Sequence, residues 1–264
     1  MALARKDAEE LSHQPGAVLP AIAMVFGSLI PAFLVVVGAP LVSGKSLAQA
    51  GEFSDEALAA VGMVPELVTL GGNALIQAFL FHQFVLLLLL VPVVAAMAIA
   101  THAVIGEKQA KALEPLLSTP LTTMELLTAK TLTSFAFSTL LMWIALALYL
   151  VGIAVVAEPG VLRAIVGLRL VLMFALLGPL VELAALQVAV IVSSRATDPR
   201  SAQQLASVMV LPVTAVFVAQ MMGAYVVSLN ALFVWAGVCA VLNLILLWLG
   251  VRVFQRETIL VRWK

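Results

Sequence analysis

One carboxylate, Glu182, lies deep inside an apolar run, thirteen residues before the next charged residue, Arg195. Thirteen helical residues amount to about 20 Å along a helix axis. A charge at that depth in hydrocarbon costs about 2.5–3.5 kcal/mol on insertion scales. Two roles fit such a group. It can be a substrate or proton contact facing the interior of a helix bundle, or a protonated or hydrogen-bonded residue that fixes helix packing. Gly178-Pro179 predicts a kink one turn away, and Gln187 supplies a second polar group nearby. His82 and Gln83 could pair with Glu182 or line an entrance, although polar residues near the end of an apolar run more often sit at a membrane interface.

Other chemistries have little to work with. Ala39-Pro-Leu-Val-Ser-Gly-Lys45-Ser46 satisfies a relaxed phosphate-loop spelling, but that loop needs a preceding strand and a helix N-terminus facing the phosphates. Here it follows an apolar run, and coincidence accounts for it. The sequence has no His-Glu-x-x-His, no Cys/His ligand cluster and no paired intramembrane aspartates, so metalloprotease and aspartyl protease chemistry lack their residues. His82 and His102 sit near the ends of one apolar run without an identifiable triad for a serine enzyme. Cys239 is the single cysteine, which excludes an intrachain disulfide.

The elements that must position these residues follow from composition. Of 264 residues, 63% are hydrophobic and 11% charged, and the mean hydropathy is +1.15. Ordinary globular domains are roughly 45–50% apolar and about 25% charged. A soluble chain this short could not hide the excess, whereas a bilayer solvates it. The net charge is zero, which gives no basic surface for nucleic acid. Crossing about 30 Å of hydrocarbon takes about 20 apolar residues. Six runs qualify: approximately 18–42, 75–104, 127–156, 164–193, 205–227 and 231–251. Pro92, Pro179 and Pro212 predict kinks in the second, fourth and fifth. The expected fold is therefore all-α, a polytopic bundle of six transmembrane helices in 17–264, preceded by a terminal segment, 1–16. That segment is polar with both charge signs, so a signal peptide is not expected. It is either a short interfacial helix or a partly ordered tail.

Six spans put both termini on one side. With the N-terminus inside, that side holds eleven of the fourteen Lys and Arg, leaving Lys45, Arg163 and Arg169 opposite. The positive-inside rule then orients the chain N-in, C-in. The 43–73 connector is acidic, with Glu52, Asp55, Glu56 and Glu66.

One cytoplasmic connector, 106–124, has an internal pattern. Ala110, Leu113, Leu116 and Leu117 form an apolar stripe, with Glu107, Lys108 and Lys111 able to take another face. Pro115 and Pro120 interrupt it, and Thr122-Thr123-Met124-Glu125 reads as a capping box opening the next helix. Such an amphipathic helix lies flat on a membrane or seats in a groove on a partner.

These residues resemble the membrane subunits of ABC-2 type ABC transporters. That family repeats a Glu-Lys/Arg pair, Leu-Glu-x-Leu-Leu-x-x-Pro, then Glu-Leu-Leu and a Lys between its second and third spans. This chain has Glu107-Lys108, Leu113-Glu114-Pro115-Leu116-Leu117-Ser118-Thr119-Pro120, Glu125-Leu126-Leu127 and Lys130. Ser193-Ser194-Arg195-Ala196-Thr197 with Ala202-Gln203-Gln204, and Phe254 to Leu260, are similar to a later cytoplasmic loop and the C-terminal tail of the family. One departure is Lys111-Ala112, where many members carry Gly-Thr. The resemblance implies a permease, most often an exporter, in a bacterial cytoplasmic membrane. It implies a coupling helix at 107–119 (Glu107, Lys108, Lys111, Leu113, Glu114, Leu116, Leu117, Thr119) that docks into a separate cytoplasmic ATP-binding-cassette subunit. That partner would hold the ATP and Mg2+, with no cofactor in this chain, and a second permease copy, identical or related, would complete the assembly. Two other classes remain open: a proton-coupled carrier using Glu182, and a non-transporting scaffold subunit. The substrate is not readable.

Overall fold

The computed structural model describes residues 15–51, 53–62, 64–109, 123–196, 198–222 and 228–253. Among them every regular element is helical. Six helices are long and apolar enough to cross a bilayer: Val18–Ser43, Gly72–His102, Thr131–Val156, Leu168–Ser193, Arg200–Met221 and Leu229–Arg252. Here they are spans one to six. The departures from the expected runs at spans four and five have visible causes. Val161–Ile165 is a short separate helix, and span four begins after Gly167, whose extended backbone breaks the two. Span five starts earlier than expected because the polar helix Pro199–Ala206 leads into it.

Span two is the centre of the bundle. Of its most apolar window 94% is buried, against 17% for spans five and six. Spans one, three, four and five pack around it, and span six packs on span four. A helix that is apolar on every side belongs in such a position. Spans five and six instead turn Leu211, Val218, Phe233, Val234 and Leu244 outward, which suits contact with hydrocarbon. Spans one, two and three meet at a ring cluster of Phe33, Phe81 and Tyr149, with centroids 5.6–5.8 Å apart. The Tyr149 hydroxyl donates to the Phe81 carbonyl at 2.8 Å, satisfying the one polar atom in that cluster. Gly152 makes the approach possible, since a Cβ there would stand 2.4 Å from Cζ of Phe33.

Pro20 and Pro31 sit within the α-helix Pro15–Phe33, whereas Pro92, Pro179 and Pro212, where kinks are expected, and also Pro40 each leave a mark. Each of these four lacks a backbone N–H and crowds the preceding turn, and the helix departs from α geometry just before it. A 3-10 segment, Val85–Leu89, precedes Pro92, and another, Ser207–Met209, precedes Pro212. A π turn, Met173–Leu177, precedes Pro179, and a second, Leu34–Gly38, precedes Pro40. In both π turns the residue before proline donates back five positions, Ala39 to Leu34 and Gly178 to Met173. Spans three and six differ. They belong to the uninterrupted helices Thr123–Val156 and Leu229–Val253, neither of which contains proline.

The two faces of the bundle are unlike. On one, the 44–71 connector folds into the helices Leu47–Ala50 and Ser54–Val61 and buries Leu47, Ala57, Ala60, Val64 and Leu67 over the helix ends. Asn73 ties this face together, donating to Glu158 Oε1 at 2.5 Å and accepting from the Ala48 N–H. At the opposite face are the described helix ends Pro15, Gln109, Thr123, Arg195 and Val253. There Asp198 caps Pro199–Ala206, accepting from the N–H groups of Arg200 and Ser201 at 2.9 and 3.3 Å. That helix packs against spans two and four.

Candidate functional site

Glu182 is fully buried. Its Oε2 accepts from Thr139 Oγ1 at 2.8 Å, and its Oε1 is hydrogen-bonded to Ser138 Oγ. Adjacent helical residues point about 100° apart, so a Ser-Thr pair on span three can present one hydroxyl to each oxygen of a facing carboxyl group. Ser138 has a single proton, and the Ser134 carbonyl lies 2.7 Å from the same oxygen. Donation to Glu182 therefore competes with donation one turn back. The pair answers the main objection to a buried carboxyl group, which is the loss of its water partners.

Gln187 does not join Glu182. Five residues separate them, about 140° around the helix, so they address different neighbours. Gln187 Nε2 donates to Asn243 Oδ1 of span six at 2.8 Å. Asn243 Nδ2 in turn donates to the carbonyls of Leu180 at 2.9 Å and Cys239 at 2.8 Å. Span four is thus bonded to span three through Glu182 and to span six through Gln187 and Asn243. Both links lie on its Gly178–Arg195 half.

A second polar group sits toward the face of the 44–71 connector. Gln83 is buried and hydrogen-bonded to Gln220 of span five, through its own Nε2 to the Gln220 carbonyl at 3.4 Å and through the two side-chain amides. His82 Nε2 is 3.2 Å from the Ala164 carbonyl. His82, Gln83, Gln220 and Arg169 line a cavity of about 20 Å³, large enough to hold water. Glu66, on the connector, interacts electrostatically with both Arg169 and His82. Neither His82 nor Gln83 pairs with Glu182, and Gln83 lies inside the bundle rather than at an interface.

Ser138, Thr139, Asn243 and Gln220 were not singled out by sequence. Asn243 and Gln220 had a usable signal, an amide inside an otherwise apolar run. The two hydroxyls had none, since Ser and Thr are common in apolar helices. The phosphate-loop spelling has a local explanation. Gly44 ends the helix Ala39–Ser43 in the left-handed conformation, φ 69°, and Ser46 forms a capping box with Gln49. On the opposite face the helix Leu90–Gln109 carries the backbone through Glu107 and Lys108. Lys111, Leu113, Glu114, Leu116, Leu117 and Thr119 lie outside the described residues, as do the first fourteen residues and the C-terminal tail from Phe254. Among the described residues no group of three or more His, Cys, Asp or Glu is placed to hold a metal ion.

The family model for ABC-2 family transporter proteins matches residues 1–256. Neither the curated proteins nor the solved structures give a match.

Proposed function

The chain belongs to the ABC-2 transporter family, and from that premise we propose that it is a permease subunit driven by a separate ATP-binding-cassette partner. Two permease copies, identical or related, assemble with two such partners, which hold the ATP and Mg2+. The 107–119 segment is the docking element, and the chain is oriented N-in, C-in in a bacterial cytoplasmic membrane. Closure of the partners on ATP favours one of two helix packings, and nucleotide binding supplies the free-energy difference between them. Export is the direction, with the substrate leaving on the side of the 44–71 connector.

One observation carries this reading beyond membership of the family. The 107–119 segment joins the helix Leu90–Gln109 to the helix Thr123–Val156. The first belongs to the central, almost wholly buried span two, and the second is the unbroken 34-residue helix of span three. A push at that connector is delivered to the helix that touches most of the bundle and to one that does not bend at a proline. The charge distribution favours the same face, which carries eleven of the fourteen basic residues.

The test is the nucleotidase rate of the assembled complex in membranes. Glu107→Ala and Glu114→Ala are expected to lower the permease-dependent rate about tenfold, as for loss of a charged docking contact, with membrane insertion unchanged. Wild-type rates in both variants contradict the docking assignment.

A further inference from the structure

We propose that Glu182 is a positioning residue that fastens the Gly178–Arg195 half of span four to span three, so that bending in span four is confined to Met173–Pro179. Four observations combine. First, Glu182 is fully buried, and both of its oxygens are engaged by one neighbour, span three, through Ser138 and Thr139. Second, span three has no π or 3-10 turn anywhere in Thr123–Val156, and Ser138 lies fifteen residues from its start, about 22 Å along the axis. A displacement applied near Thr123 therefore reaches the clamp without a break in the helix that carries it.

Third, the clamp sits just past an interruption in its own helix. The π turn Met173–Leu177 and the Gly178-Pro179 pair end one turn before Glu182, and helices bend at such places. Gly178 faces Met142 of span three, whose Sδ would lie 2.8 Å from an added Cβ, so the hinge itself stays in close contact with the unbroken helix. Fourth, the same half of span four is held on its other side. Gln187 and Asn243 bond it to span six, and Asn243 reaches the Leu180 carbonyl beside the hinge. Span three, residues 178–195 and span six thus form one laced body. The short segment Leu168–Leu172, which carries Arg169 to the cavity at the other face, lies beyond the hinge.

The transmission this implies rests on the partner-driven reading above, whereas the clamp does not, and the experiment separates the two. In a Cys239→Ser background, spin labels are placed at three exposed positions: Leu132 on span three, Leu183 on the clamped half of span four and Leu168 beyond the hinge. In the complex with its ATP-binding partner, nucleotide is expected to change the 168–183 distance and leave 132–183 unchanged. E182A is expected to broaden the 132–183 distribution, with or without nucleotide, and to lower permease-dependent nucleotidase activity about tenfold. E182Q is expected to stay within about twofold, because its amide keeps an acceptor for Thr139 and offers an N–H to Ser138. Ser138→Ala and Thr139→Val give the same distance readout should E182A be lost from the membrane. A nucleotide-driven change in the wild-type 132–183 distance overturns the proposal, and so does an E182A distribution as narrow as the wild type. If nucleotide moves neither distance while E182A still broadens 132–183, the clamp stands and the partner-driven reading fails.

Discussion

At the scale of single residues, the buried polar groups of this protein act as joints between helices. Asn243 uses both amide hydrogens and its oxygen at once, so Asn243→Ala removes one partner from each of three groups. Leaving a buried group unsatisfied costs about 1–3 kcal/mol. The thermal midpoint of Asn243→Ala is expected to fall accordingly, more than that of Asn243→Gln. Glycines separate in the same way. Gly152 meets the rigid ring of Phe33, which Phe81 and Tyr149 hold in place. Gly152→Val should therefore destabilise by about 1–3 kcal/mol, the usual cost of overpacking. At Gly178 the tight contacts are with the flexible end of Met142, and the Met173 carbonyl stands at an ordinary 3.5 Å, so Gly178→Ala should cost less in the same thermal assay. Asp198 gives a pH signature. Its hydrogen bonds with Ser201, then that with the Arg200 N–H, hold its carboxyl below the usual carboxylate range. A lowered folded-state pKa means that the cap is intact at neutral pH and is lost as the pH falls through that lowered value. Amide exchange at 200–203 should accelerate only in strong acid for the wild type, and already at neutral pH in Asp198→Ala.

At the scale of elements, the six spans were legible because each is an apolar run long enough to cross hydrocarbon, and that signal does not depend on tertiary context. The prolines at 92, 179 and 212 were legible as sites of distortion too, since each lacks a donor, although Pro20 and Pro31 leave the helix Pro15–Phe33 in α geometry. The kind of perturbation was not. Whether the turn tightens to 3-10, as before Pro92 and Pro212, or widens to π, as before Pro40 and Pro179, depends on neighbours that the local sequence does not name. The helices of the 44–71 connector escaped notice because they are four and eight residues long, too short for periodicity, although Ser46 and Gln49 spelled a capping box. The site was half legible. Glu182 stood out by its charge, but its partners lie more than forty residues earlier on another helix, and nothing in a run of Ser and Thr marks the two that face a carboxyl group. One prediction belongs at this scale. Pro179→Ala restores a donor and relieves the crowding that accompanies the π turn, so its thermal midpoint should equal or exceed the wild type. The bend should stiffen, and permease-dependent nucleotidase activity should fall.

At the scale of the whole molecule, the arrangement is a buried central helix ringed by others, with two outer helices facing away from the core. Spans one, two, four and five each contain a turn that is not α-helical, while spans three and six do not. A bundle built in this way has defined places to bend and defined rods to carry motion. The chain belongs to the ABC-2 transporter family, and in the proposed function the source of that motion lies outside the chain. The central claim, that the 107–119 segment receives the motion from an ATP-binding-cassette subunit, is tested most directly by crosslinking in intact membranes. A photo-reactive residue at Leu116 is predicted to capture an ATP-binding-cassette subunit, and one at the exposed Leu140 on span three is predicted not to. Failure to capture such a subunit from Leu116, or equal capture from Leu140, contradicts the account.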